Sequence, residues 1–346
     1  MAQSKPSCVL VTRFSALGDV AMVMPVLYDV ARANPEVRFV MVSRPWVTHL
    51  SQLPPENLTV VPIDLKKDYS KPWAIVRLAR ELHRDYGITA LADLHSVLRS
   101  WILGAALRLQ GVTVRRIDKG RREKQALING KTRHPVQHTT QRYRQVFARL
   151  GLDTDSRQAF QSFYHDALPE CLYGEKPTGM RWVAIAPFAA HPGKEYPTDK
   201  MLQVVTLLAA QENTRIFLLG GGEREKAILA RWSKALDKVT AVTDAPHNLS
   251  DELALMARCD VMLSMDSANM HLASLVATPV VSVWGSTHPD CGFMGYGQSE
   301  RLAVQLPLDC RPCSVYGERP CRFRDYHCLT DIAPEQIVEK VNQTLQ

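Results

Sequence analysis

Apolar residues along the chain fall into short continuous runs, each followed by a stretch of helical period, and the alternation occurs twice. In the first half, Cys8–Phe14 reads as a buried strand, followed by a loop and a helix from Asp19 to about Asn34. Pro25 lies inside that helix, where a kink is expected. Val37–Ser43, Leu58–Asp64 and Ile88–His95 read as further strands, with helices at Trp73–Tyr86 and Leu98–Leu109. Continuous apolar strands separated by helices call for a parallel sheet covered on both faces. The alternation breaks at Arg115–His138, which reads as a long loop with a partial helix near Lys124–Ile128. A helix around Gln141–Leu150 and a polar segment, Gly151–Gln161, follow.

Pro169–Gly179 has the composition of a linker. Beyond it, strands Arg181–Pro187, Arg215–Leu219, Val239–Thr243, Val261–Ser264 and Val280–Trp284 alternate with helices Asp199–Gln211, Glu223–Leu236, Ser250–Arg258 and one opening near Ala268. Pro334–Leu345 reads as a closing helix with proline in its first turn. The expected fold class is α/β, with two Rossmann-like doubly wound domains, 1–170 and 171–346, and a cleft between their C-terminal strand ends. The last helix is placed to return to the first domain. A chain of 346 residues suits two cores better than one.

Composition adds little to this: 46% hydrophobic and 22% charged residues describe an ordinary globular protein. The most apolar stretch, Val261–Trp284, is interrupted by Asp266 and His271. The N-terminal run Cys8–Thr12 meets Arg13, which does not fit a signal peptide. A soluble, cytoplasmic protein is expected. Charge changes the picture more. Of the net +7, the stretch Arg99–Arg149 carries +11, with thirteen Lys or Arg against two acids, and the remainder carries −4. An anionic partner fits (nucleic acid, an acidic membrane surface or a phosphorylated glycolipid), and so does a solvated face with a mobile loop.

Four stretches carry candidate chemistry. Ser15-Ala16-Leu17-Gly18-Asp19 joins a buried strand to a helix, where Gly18 allows close approach and Asp19 is placed as a general base or as a first-turn acid favoured by the helix dipole. Phe188 to Pro197 is a small-residue loop, Ala189 included, in which Lys194 suits an anionic diphosphate or is a solvated surface residue only. Leu218 to Glu223 is a glycine run that can hold a nucleotide, with Glu223 toward ribose hydroxyls, or a tight turn only. Ser264 to Ala273 puts small residues at a strand-to-helix junction, offering N–H groups to a phosphate, with Asp266 flanking it and His271 either flanking it too or simply packed in the helix. Asp153-Thr154-Asp155 spells a metal-binding acid pair but has no buried strand before it, so turn chemistry accounts for it better. Eight cysteines include Cys310, Cys313, Cys321 and Cys328 close together, a set able to hold a structural zinc or to stay reduced and metal-free.

In order and separation, RFSALGDVAMVMPVL, APFAAHPGKEYP, LLGGGERE and SMDSANMHLASLVATPVVSVWGSTHP resemble the lipopolysaccharide heptosyltransferases, glycosyltransferase family 9, across nearly the full chain. The resemblance implies a GT-B fold and an inverting transfer, with heptose moving from ADP-heptose to an inner-core acceptor without a required metal or other cofactor. It implies Asp19 as base, Lys194 against the leaving diphosphate, and Ser267 and Ala268 offering backbone N–H groups to it. Asp266 would lie near the sugar, Glu223 at the ribose and the backbone near Leu249 at the base. Ser15, Gly18 and the basic Arg121 and Arg122 would face the acceptor, a lipopolysaccharide core carried on lipid A, with peripheral contact to the inner membrane. The four-cysteine segment also resembles one found in part of the family. Ala189 and Ala190 replace hydroxyl residues frequent in the family's phosphate loop, and Ser267-Ala268 replaces Thr-Gly. A GT-B sugar-nucleotide epimerase is an alternative, as is a basic nucleic-acid-binding protein with a zinc-bound cysteine cluster. The scarcity of aromatics among the basic residues speaks against a nucleic-acid partner.

Overall fold

A computed structural model describes residues 5–155, 160, 164 and 168–346. Within the polar segment expected at Gly151–Gln161, positions 156–159 and 161 lie outside the described residues.

The chain folds into two compact units. The first contains a parallel sheet of β1 (Cys8–Thr12), β2 (Arg38–Ser43), β3 (Leu58–Pro62), β4 (Ala90–Asp93) and β5 (Thr113–Arg116), in the order β3-β2-β1-β4-β5. β1 is central and wholly buried, which is why its sequence shows no alternation. The winding direction reverses between β1 and β4, whose register sets Thr12 against Asp93. The helix Leu17–Ala33 runs unbroken through Pro25 and buries nearly every residue from Gly18 to Ala31. It packs against the helix Thr139–Ala148, which supplies Tyr143, Val146 and Phe147.

The second unit holds β6 (Arg181–Ala186), β7 (Thr214–Leu218), β8 (Val239–Ala241), β9 (Val261–Met265), β10 (Val280–Val283) and β11 (Ala303–Val304). They form a parallel sheet in the order β11-β10-β9-β6-β7-β8, which reverses between β6 and β9 with Ala186 opposite Ser264. Its core gathers Trp232, Leu229, Val205 and Leu208 from helices and Ile185, Leu218 and Leu263 from strands.

Two expectations are corrected. Thr113–Arg116 is an edge strand rather than the start of a loop; its apolar content is one valine, and its arginines find partners only in the folded sheet, Arg116 at Asp93. Gly120–His138 belongs to the second unit, so the chain crosses between units at 119/120, 138/139 and 167/168 instead of once near 170. Hydrogen bonds hold the segment there, from Val136 N–H to the Asp290 carbonyl (2.9 Å) and between His138 Nε2 and the Met294 carbonyl (2.7 Å), and Lys124 Nζ lies 3.9 Å from the centre of the Phe293 ring. The closing helix Pro334–Thr344 packs on β9, β10, β11 and the helix Thr198–Ala209 of its own unit, burying Ile337 and Val341. The Asp153–Asp155 stretch is a turn in which the Asp153 carboxylate accepts from Asp155 N–H.

Candidate functional site

Each sheet carries a polar cluster at the point where its strand order reverses, the position where adjacent loops leave in opposite directions and open a crevice. In the first unit these loops follow β1 and β4. Arg13 is anchored by an N–H to the Leu94 carbonyl (2.8 Å), and its Nη2 lies 2.6 Å from Asp19 Oδ2. The same carboxylate oxygen accepts from Ala16 N–H at 3.2 Å, and Tyr143 donates its hydroxyl to the Asp19 carbonyl. Asp19 is thus held at the helix start with about a fifth of its side chain open to solvent. Gly18 is buried beneath it and Ser15 is half-buried.

His95, at the end of the β4 loop, was not among the sequence candidates. Phe14 N–H donates to its Nδ1 (3.3 Å), so that nitrogen is unprotonated and the ring hydrogen sits on Nε2, 3.4 Å from Ser15 Oγ. Burial, reinforced by Arg13 and Lys119, pushes its pKa down to about 3. Because the folded value lies below that of a free histidine, neutral His95 supports the fold fully above pH 6.5, and that support declines as pH falls from 6.5 toward 3. Nitrogen NMR at pH 5 is expected to find this ring neutral with its proton on Nε2; a protonated ring at that pH contradicts the arrangement. Beneath it, buried Asp93 accepts from His95 N–H (3.0 Å), Ser96 N–H (2.8 Å), Ser100 Oγ (3.0 Å) and Arg116 Nε (3.3 Å), which fixes the turn that aims His95.

In the second unit the loops follow β6 and β9. Pro192–Lys194 forms one turn of 3₁₀ helix, and Lys194 Nζ meets Asp266 Oδ2 at 2.9 Å, with side-chain exposures of 15% and 6%. Thr287 Oγ1 donates to the same carboxylate oxygen at 2.8 Å. Asp266 precedes the helix Ala268–Leu275, whose N-cap, Ser267, makes no side-chain cap bond; its hydroxyl lies 3.2 Å from Ser264 Oγ. The first-turn N–H groups therefore stay available to an anion, and the dipole favours one. His271 is buried in this helix. Ala189 N–H donates to Glu195 Oε2 (3.3 Å), and Glu195 also pairs with Arg224 (2.8 Å).

The remaining candidates scatter. Glu223 points outward, 95% exposed, with Lys226 at 3.6 Å. Glu225 instead turns back to accept from Gly221 N–H at 2.7 Å. Leu249 opens the helix Leu249–Met256 behind Asn248, which caps it through Ser250 and Asp251 N–H groups. Arg121 and Arg122 are exposed on the helix Arg121–Ile128, which belongs to the second unit.

Cys310, Cys313, Cys321 and Cys328 are free thiols. Cys310 Sγ lies 3.7 Å from His327 Nε2, and Cys321 Sγ lies 3.7 Å from Asp325 Oδ1. Burial pushes the Cys328 thiol up to about 11. Among the described residues no group of three or more His, Cys, Asp or Glu is placed to hold a metal ion.

Comparison with known proteins gives this geometry a context. The model of the family described as glycosyltransferase family 9 (heptosyltransferase) matches residues 75–327, more than two thirds of the chain. Lipopolysaccharide heptosyltransferase 1 of Pseudomonas aeruginosa is 25% identical over 370 residues, spanning 97% of this chain and 98% of that protein. Escherichia coli heptosyltransferase WaaC, solved with ADP-2-deoxy-2-fluoro heptose, superposes with a TM-score of 0.66 at 20% identity, covering 96% of this chain and 99% of that one. A glycosyl transferase family 9 structure from Veillonella parvula gives 0.73 at 17% identity over 98% and 97%. These likenesses establish the GT-B fold, two parallel-sheet α/β domains.

Proposed function

The chain belongs to glycosyltransferase family 9, the heptosyltransferases, and from that premise we propose that it transfers heptose from ADP-heptose to the lipopolysaccharide inner core with inversion and without a metal. The observation that carries this reading is the Lys194–Asp266 pair beside an uncapped helix N-terminus, at the reversal point of the second sheet. A cation and free N–H groups together suit a diphosphate whose negative charge grows as it leaves. The neighbour solved with an ADP-heptose analogue supports ADP-heptose as donor.

In the proposed reaction an acceptor hydroxyl oxygen bonds to the anomeric carbon while the bond from that carbon to the β-phosphate oxygen breaks. The electron pair leaves with ADP, and the hydroxyl proton passes to Asp19. Lys194 and the N–H groups of Ser267 and Ala268 take up the charge appearing on ADP, the work a metal performs in other transferases. Ala189 lines the phosphate loop and His271 the sugar side. Arg121 and Arg122 serve a phosphorylated acceptor from the second unit. No helix among the described residues is long and apolar enough to cross a membrane, and the proposed setting is cytoplasmic, with the enzyme peripheral on the inner membrane. Of the nucleotide contacts, Glu223 is the weakest. Its carboxylate is almost fully exposed, and Glu225 holds the glycine loop instead.

Donor binding tests the reading. Calorimetry with ADP-, GDP- and UDP-sugars is expected to find the ADP-sugar bound preferentially, with equal affinity in EDTA. Preference for another nucleotide, or loss of binding in EDTA, would overturn the donor assignment or the metal-free mechanism respectively.

A further inference from the structure

The four-cysteine segment takes no part in the proposed chemistry, yet Gly317 within it lies against the stem of Lys194. Arg311, 5% exposed, sends its guanidinium into the loop that follows β10. It donates to the carbonyls of Trp284 (3.1 Å), Thr287 (2.8 Å) and Leu306 (2.6 Å), to that of Gly285, and to Gln305 Oε1 (3.1 Å). Cys313 N–H donates to the Ser286 carbonyl (2.8 Å), and Ser286 N–H in turn donates to the Gly193 carbonyl (2.7 Å).

Packing is as close as the hydrogen bonding. A Cβ on Gly285 would sit 2.4 Å from the Gly193 carbonyl oxygen, and one on Gly193 would sit 2.3 Å from Ser286 Oγ. Gly317, at φ +79°, lies against the lysine stem itself, where a Cβ would come within 2.5 Å of Lys194 Cγ and 2.6 Å of Cδ. The turn carrying Lys194, the loop after β10 and residues 311–317 thus form one interlocked body.

We propose that Arg311 is a positioning residue for glycosyl transfer, setting Lys194 and Asp266 through the backbone and hydroxyl of Thr287. Thr287 connects the two groups, because its carbonyl receives the guanidinium and its hydroxyl reaches Asp266 Oδ2. Lys194 approaches that same oxygen. The hydroxyl takes part of the carboxylate's charge, so Asp266 orients the ammonium without sequestering it from a phosphate. Without the hydroxyl, Asp266 turns toward Lys194 and competes with the leaving ADP. Arginine suits the post because one planar group meets five acceptors in fixed directions, which a lysine ammonium with three donors cannot.

The inference rests on the donor-site reading above, and the experiment keeps their failures apart. Steady-state kinetics with ADP-heptose and a purified core acceptor would be measured for Thr287→Val, Thr287→Ser, Arg311→Lys and Lys194→Ala. Loss of the hydroxyl is expected to lower kcat about 10- to 100-fold, with a smaller change in donor KM and the thermal midpoint retained. Serine is expected to restore the rate, and Arg311→Lys to reproduce the valine defect. A purely structural role for Thr287 predicts loss of folded protein in both variants and no separation of kcat from KM. If Lys194→Ala is inactive while Thr287→Val and Arg311→Lys both turn over normally, the positioning role is wrong and the donor site stands. If Lys194→Ala is fully active, the donor-site reading itself falls. Should Arg311→Lys fail to fold, Gln305→Ala, which removes another acceptor of the same Nη2, is read in its place, and a normal kcat there overturns the role of Arg311.

Discussion

Lys194→Ala is expected to lower kcat about 10²- to 10³-fold, the size of effect seen when one preorganised group opposite a developing anion is removed. The same substitution carries a second, separable consequence. Asp266 is 6% exposed and would lose its cationic partner, keeping only the Thr287 hydroxyl on that oxygen. A carboxylate left unpaired in such a place costs up to about 3 kcal/mol, because its hydration is not recovered. The single variant is therefore expected to melt earlier as well as turn over slowly. Adding Asp266→Asn removes the uncompensated charge, so the double variant regains its melting temperature and stays slow. Calorimetric melts beside steady-state rates distinguish the two effects. If activity returned together with stability in the double variant, Lys194 would be serving the fold and not the leaving group.

Legibility from sequence follows the range of the interactions involved. Parallel strands buried on both faces read as continuous apolar runs, so β1, β6 and β9 were evident, and Asp19, Lys194 and Asp266 stand out because each follows such a run closely. That the sheets reverse beside these strands depends on strand order, which no local pattern encodes. β5 escaped because a strand reading Thr-Val-Arg-Arg acquires meaning only when Asp93 receives Arg116. The Gly120–His138 excursion escaped for a similar reason. Basic residues are equally at home in a loop of either unit, and the bonds to Asp290 and Met294 that decide the matter span more than 150 positions.

Within the site, Glu223 and Glu225 show the limit most sharply. Both stand in the first turn of one helix, two positions apart and so on different faces, and only the folded turn shows which carboxylate meets Gly221. Arg311 was invisible for the opposite reason. It lies among cysteines that drew attention to metal chemistry, while its acceptors are mainly backbone carbonyls, which carry no residue signature.

Asp19→Asn is expected to give the larger loss, about 10²- to 10⁴-fold in kcat, the usual contribution of a general base. Asparagine keeps the shape of the side chain and can still accept from Ala16 N–H, so the helix start is preserved. What disappears is the proton acceptor and the anion opposite Arg13, whose guanidinium keeps its bond to the Leu94 carbonyl. A carboxylate is by its nature a weak base toward a resting alcohol hydroxyl. It becomes effective once the hydroxyl has begun to bond to an electron-poor anomeric carbon and has grown acidic. Proton transfer therefore accompanies glycosidic bond cleavage instead of preceding it. A solvent isotope effect on kcat accompanied by a carbon isotope effect at the anomeric centre is the expected signature. ADP affinity separates the two substitutions. Asp19 belongs to the first unit and the proposed diphosphate site to the second, so Asp19→Asn leaves ADP binding intact while Lys194→Ala weakens it. An Asp19→Asn protein that lost ADP affinity together with its rate would place Asp19 in donor binding and leave the base to be sought elsewhere, with neutral His95 on the neighbouring strand end as the first group to test.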